Sequence, residues 1–178
     1  MSMSRAARRR FLSRLLAAAA LPLAACTPEY NWREIDVADG RARAAFPARV
    51  QTEQRPVPLD GRQLPFSLTT AAVGDALFAV GYVLLPEDAR GDAQAERRLA
   101  DALARTLYAN LGSRPPEQLP EPGREIELRA GLGGEPALLL ARVLVHGGAV
   151  IEAVAMGPER ALPAERAREF VRSLQPAR

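Results

Sequence analysis

The chain has 178 residues, with 24 basic residues that are all arginine, 21 acids, one histidine and one cysteine, for a formal net charge of +3. Without lysine there is no lysine general base and no Schiff base, and one histidine with one cysteine excludes metal centres built from histidine clusters or cysteine pairs. A histidine-activated nucleophile would have to be assembled around His146 alone.

Met1 to Arg14 carries Arg5, Arg8, Arg9, Arg10 and Arg14 with no acid, and Leu15 to Ala25 is then apolar apart from Pro22. A charged stretch followed by an apolar one is the pattern of an export signal peptide. The apolar run is about half the roughly 20 residues that a membrane-spanning helix needs. Residues 1–25 are therefore expected to be a removable signal peptide. Leu23-Ala24-Ala25-Cys26 resembles a bacterial lipobox, in which the cysteine sulfur takes a diacylglyceryl group and becomes the mature N-terminus. Two or more acyl chains give stable anchoring. Arg8-Arg9-Arg10-Phe11-Leu12 also resembles the twin-arginine export signal through Arg8, Arg9, Phe11 and Leu12, although Ala7 and Ser13 stand at its two ends. The general secretory route stays open beside it. Thr27 stands where an aspartate would retain a lipoprotein at the inner membrane. By that resemblance the periplasmic face of the outer membrane is favoured.

Removing 25 residues from 178 leaves 153, and five of the 24 arginines go with the leader, leaving 19 against 21 acids and a net charge near −2. No clustered basic face remains for nucleic acid. A chain of this length supports one domain that buries about 68–70% of its unfolded surface, and its only cysteine is committed to lipidation, so packing alone must hold it.

Residues 26–34 are expected to be the lipidated N-terminus and tether, and 35–176 a single domain. Trp32, Ile35 and Val37 suit a short extended lead-in, with Trp32 packed on the body of the domain or, together with Tyr30, at the membrane interface beside the lipid. After the turn signal Asp39-Gly40, Ala42, Ala44 and Phe46 alternate with Arg41, Arg43 and Ala45 and stop at Pro47, a half-buried strand. Val50 to Val57, leading through Pro58-Leu59, and the run after Gly61 flank Asp60-Gly61 as a hairpin whose first arm is pushed to a sheet edge by Pro56, Pro58 and Pro65. Phe66 to Leu85 is the clearest β-hairpin, turning at Val73 to Ala76. Its return run from Leu77 is apolar on both faces, as in a central strand covered on both sides. Asp92 can cap a helix from Ala93 to Leu111 with Leu99, Leu103 and Leu107 as its stripe and Gly112 as its stop.

Ser113 to Gly123 holds Pro115, Pro116, Pro120 and Pro122 and is expected to be an extended surface loop. Glu125 to Arg129 alternates as a strand, Gly131 to Gly134 turns, and Ala137 to Val145 and Val150 to Met156 flank His146-Gly147-Gly148-Ala149 as a second hairpin. Pro163 can begin a final helix with Ala167, Phe170, Val171 and Leu174 as its stripe. The second half thus repeats the plan of the first. The order strands, helix, strands, helix is that of an α+β domain, mainly antiparallel sheet with two packed helices.

Ala45-Phe46-Pro47, the hairpin ending in Tyr82, Gly133-Gly134-Glu135 and Phe170-Val171-Arg172-Ser173-Leu174 resemble the corresponding stretches of the PsbP-like superfamily, over about Ile35 to Leu174. The resemblance implies that α+β fold and a binding or assembly role, with no shared catalytic residues.

No residue pattern marks a catalytic centre, a metal site or a cofactor. His146 before Gly147-Gly148 is expected on a solvent-exposed turn. Gly131-Leu132-Gly133-Gly134 lacks the lysine and following helix of a phosphate loop. Glu87, Asp88 and Asp92 are too sparse for a calcium loop, and every acid fits a solvated face or a turn. The expected function is that of a non-enzymatic, membrane-anchored envelope lipoprotein that binds a protein partner or assists assembly of an envelope complex. The alternative is a lipid-tethered binder of a small apolar ligand, held between the sheet and the Ala93 to Leu111 helix. The first, through a sheet edge, the Pro-rich loop or a groove beside a helix, needs only an exposed patch, and the second an enclosed apolar cavity of a few hundred Å³.

Overall fold

A computed structural model describes residues 29–177 of the chain. The signal residues Arg8, Arg9, Phe11 and Leu12, the lipobox residues Leu23, Ala24 and Ala25, and Cys26 lie outside the described residues.

The fold is α+β. Strands β3 (Gln51–Leu59), β4 (Arg62–Val73) and β5 (Ala76–Leu84) form one meander, and β6 (Glu125–Leu132), β7 (Glu135–His146) and β8 (Ala149–Pro158) form a second. Antiparallel pairing of β5 with β8 joins them into a six-stranded sheet of order β3-β4-β5-β8-β7-β6. The repetition read from the sequence is thus a repetition of strands about the β5–β8 seam. The helices break it: α1 (Ala93–Asn110) and α2 (Ala164–Ser173) pack on opposite faces of the sheet.

One departure from expectation is the fate of the first two strands. β1 (Arg33–Val37) and β2 (Ala42–Phe46) do not join the large sheet; with β9 (Gln175–Pro176) they form a separate three-stranded sheet of order β1-β2-β9. Pro47 directly after β2 has no N–H to continue the ladder, and the chain leaves the sheet through residues 47–50 before β3 begins. The packed body also begins earlier than Ile35, since β1 starts at Arg33 and both Tyr30 and Trp32 pack against the core.

Local chemistry accounts for the turns and caps. Asp60 and Gly61 both hold positive φ, 48° and 73°, as a two-residue hairpin turn requires, and Asp-Gly is the pair that adopts it most readily. Pro56 and Pro58 lie on β3, the edge strand. Pro65 lies opposite Pro56, outside the β4–β5 ladder that starts at Phe66↔Val83, so no central hydrogen bond is lost. Asp92 Oδ1 accepts from the amides of Gln94 and Ala95 at the start of α1, and Gly112 takes φ 61° just past its end. α2 starts after Pro163 and buries Ala167, Phe170 and Val171, with Leu174 buried beside them.

Two apolar layers flank the six-stranded sheet. On one face α2 and the small sheet close over Phe78, Val80, Leu138, Leu140, Ile151 and Ala153. The Phe170 ring meets Phe46 edge-on at 5.1 Å and Phe78 at 5.3 Å, an arrangement that adds to area burial. Arg168 and Arg172 on α2 reach Glu127 and Glu125 on edge strand β6, matching a helical i, i+4 spacing to a strand i, i+2 spacing. On the other face α1 lies over Phe66, Val83, Leu139, Ala141 and Val150. β5 and β8 are covered on both faces, as the continuous apolar run of β5 implied.

Candidate functional site

The register of the central strands sets the shape of the α1 face. Three successive rows cross from β5 through β8 to β7: Leu77, Met156, Leu139; then Ala79, Val154, Ala141; then Gly81, Glu152, Val143. The first row is bulky. The next two hold alanine at Ala79 and Ala141 and glycine at Gly81; the Phe66 ring fills the space above Gly81, and the floor lies low at Ala79 and Val154 beneath α1. The result is a half-open apolar cavity of about 330 Å³ between sheet and helix. Phe66 and Leu68 of β4 and Val57 of β3 wall it on one side, Leu103, Thr106 and Leu107 of α1 roof it, and Arg55, Pro58 and Asn110 stand at its mouth.

Glu152 lies in this floor, 6% exposed, with Oε2 buried and without a hydrogen-bond partner. Its in-row neighbours are Gly81 and Val143, which offer no polar side chain. Removal from water penalises the charged form, and burial alone pushes the Glu152 carboxyl up to about 8 from an ordinary 4.5. At neutral pH the group is mostly a neutral acid, with one O–H to donate and a carbonyl oxygen to accept. Gly81 makes room for it. A Cβ built there would overlap Phe66 Cζ and lie 3.1 Å from Glu152 Oε1.

Glu152 corrects the expectation that every acid sits on a solvated face or a turn. The signal was available: Glu152 is flanked by Ala149-Val150-Ile151 and Ala153-Val154-Ala155-Met156. A central strand with apolar residues on both sides cannot carry a carboxylate to water on either face.

The other residues singled out from the sequence do not gather here. His146 is the last residue of β7, half-buried and opposite Ala149, rather than fully exposed on the turn, which is Gly147-Gly148 alone. No hydrogen bond or ion pair joins it to a serine, threonine or acid among the described residues. β6 and β7 run on to Leu132↔Glu135, so only Gly133-Gly134 turns there. Asp88 pairs with Arg62 through two hydrogen bonds, at 2.9 and 2.8 Å, while Asp92 caps α1. Among the described residues no group of three or more His, Cys, Asp or Glu side chains could hold a metal ion.

The proline-rich loop is extended and without regular structure, as its composition implied, but it is pinned: Leu119 is buried in the α1 layer and Arg97 of α1 pairs with Glu121. Trp32 stacks on Tyr30 at 5.9 Å and meets Phe78 edge-on at 6.1 Å, with its Nε1 buried and unpartnered. The Arg166 guanidinium lies 5.3 Å from the Tyr30 ring centroid. Leu84, at 37%, is the only large hydrophobic side chain exposed among the described residues. No helix among them is long and apolar enough to cross a membrane.

No family model matches the chain, and no curated protein matches it in sequence.

Proposed function

We propose that the chain is a non-enzymatic binding protein that takes a small apolar ligand into the cleft between the six-stranded sheet and α1. The observation that carries this reading is the cavity of about 330 Å³ walled by Val57, Phe66, Leu68, Leu103, Leu107 and Val154. Its size and mainly apolar lining are those of small-molecule sites, which span roughly 300–1,000 Å³. The partner-binding reading draws less support. It asks only for an exposed patch, and Leu84 is the one large hydrophobic side chain exposed among the described residues to mark such a patch.

The location belongs to the same proposal. Acylation of Cys26 after removal of residues 1–25 would tether the domain to the bacterial envelope, on the periplasmic side and by preference at the outer membrane. What supports it is the arginine-rich leader, the short apolar run and Leu23-Ala24-Ala25-Cys26. A tethered domain works at the lipid surface, where apolar molecules partition.

The test is native mass spectrometry of the full chain released from its membranes, compared with a Val154→Trp variant. Val154 lines the cavity, partly buried between Ala79 and Ala141, so an indole there fills the space without displacing a large neighbour in its row. The expected result is a bound small molecule on the native protein and none on Val154→Trp. Equal occupancy of both, or of neither, contradicts the proposal.

A further inference from the structure

We propose that Glu152 is the recognition group of this cleft and that the ligand is a neutral amphiphile, an apolar chain or ring ending in a hydroxyl or carbonyl group that hydrogen-bonds the Glu152 carboxyl at the cavity floor. The inference rests on the cleft being a ligand site and adds the chemical class of what enters it.

Position carries the first part. Glu152 is in a central strand of the sheet, more than nine-tenths buried, and lines the cavity with Oε2 unpartnered. A buried polar atom with no partner is uncommon and calls for a functional explanation. Packing alone would be served as well by valine, which fills the neighbouring positions Val150 and Val154. A purely apolar ligand would seal this carboxyl away from any partner. Oε2 as it stands is closed off even to water, so a ligand with one polar end would give the carboxyl a partner through Oε1 or after a turn of the carboxyl about its last bond.

The surroundings carry the second part. On this face the rows beside Glu152 hold Gly81, Val143, Ala79, Val154, Ala141, Val83 and Val150. β4 adds Phe66 and Leu68, and α1 turns Leu103, Thr106, Leu107 and Asn110 to the cavity. The charged groups of β3 on this face, Arg55 and Glu53, are exposed on the sheet edge. No cation therefore stabilises a carboxylate at the floor, and the neutral acid is the form that fits. An ammonium head would bring two charges into an apolar site with no further group to complete their hydrogen bonds, a costly arrangement. A hydroxyl donates and accepts, and so does a neutral carboxyl, so the two groups match.

Titration of the purified full chain at neutral pH with octanol, chlorooctane and octylamine tests this, followed by isothermal calorimetry or protein NMR. The native protein is expected to bind octanol roughly tenfold more tightly than chlorooctane, the difference made by one neutral hydrogen bond and one buried group relieved. Glu152→Leu is expected to lose that preference while still binding chlorooctane. Glu152→Gln, which keeps a donor and an acceptor, is expected to retain most of it. Unfolding midpoints of both variants establish that they are folded. Equal binding of octanol and chlorooctane by the native protein, or an undiminished preference in Glu152→Leu, overturns the role of Glu152 and leaves the cleft intact. Preference for octylamine that vanishes in Glu152→Gln overturns the neutral class. If none of the three probes binds, the cleft reading itself fails, and the inference with it.

Discussion

Replacing Glu152 by glutamine is expected to remove a specific pH dependence from the stability of the fold. In the folded protein burial raises this carboxyl from 4.5 to about 8, while in the unfolded chain it titrates at its ordinary value. Between those two values the folded state holds a proton that the unfolded state has released. Stability therefore falls as pH rises through this window. The contribution is fully present below the unfolded value and is lost by the time pH passes the folded one. At about 1.4 kcal/mol per pH unit, a window from 4.5 to about 8 amounts to about 5 kcal/mol. Native domains are stable by only about 5–15 kcal/mol, so the effect is large enough to measure. Urea unfolding of the native protein and of Glu152→Gln, at pH values from about 5 to about 9, gives the difference directly, since every other group is common to both. The native protein is expected to lose stability relative to the variant as pH rises, by a few kcal/mol in all, and the two profiles are expected to run parallel above the folded value. Parallel profiles throughout would mean that Glu152 reaches water or a partner in the folded state, and the reasoning from its burial would fail.

The remaining expectations concern the frame around it. Gly81→Ala places a methyl where Phe66 Cζ lies and 3.1 Å from Glu152 Oε1, so Phe66 must shift toward the cleft. An overpacked core site of this kind costs about 1–3 kcal/mol, read by urea unfolding, and ligand affinity is expected to fall with it. Asp92→Ala removes the side chain that accepts from Gln94 and Ala95, for a loss of about 1 kcal/mol in the same assay. Phe170→Ala empties the position between Phe46 and Phe78 on the face opposite the cleft. Its cost is expected at about 3–5 kcal/mol, with binding in the cleft unchanged at temperatures where the variant is folded.

Much of this architecture could be read from local pattern. Ala42, Ala44 and Phe46 alternate and are all buried; Ala167, Phe170, Val171 and Leu174 form the stripe that α2 buries; Asp60-Gly61 turns as its chemistry requires. Each of these signals is contained in a short window, where backbone sterics and periodicity decide the outcome. The separate small sheet was not legible. Its third strand is Gln175–Pro176, two residues after α2 with no periodicity, and they pair with Ala42 and Arg43 from the other end of the chain. Of the cleft only the place, between the sheet and the Ala93 helix, is legible in the sequence, and the cavity there is half-open, not enclosed. Its floor is assembled from Leu77, Ala79, Leu139, Val154 and Met156, which become neighbours only through the registers of β5 with β8 and β8 with β7. Glu152 was legible and misread. Once β5 is taken as covered on both faces, an acid in the middle of an apolar run in the second hairpin has to be buried as well.

The most direct test of the central claim is methyl NMR of the full chain during titration with octanol. Resonances of Leu68, Leu103, Leu107, Val154 and Met156, which line the cleft, are expected to shift together along one binding curve. Those of Leu138, Ile151 and Val171, in the layer on the opposite face, are expected to stay in place. Shifts confined to the opposite face, or none at saturating ligand, would contradict the assignment of the cleft as the binding site.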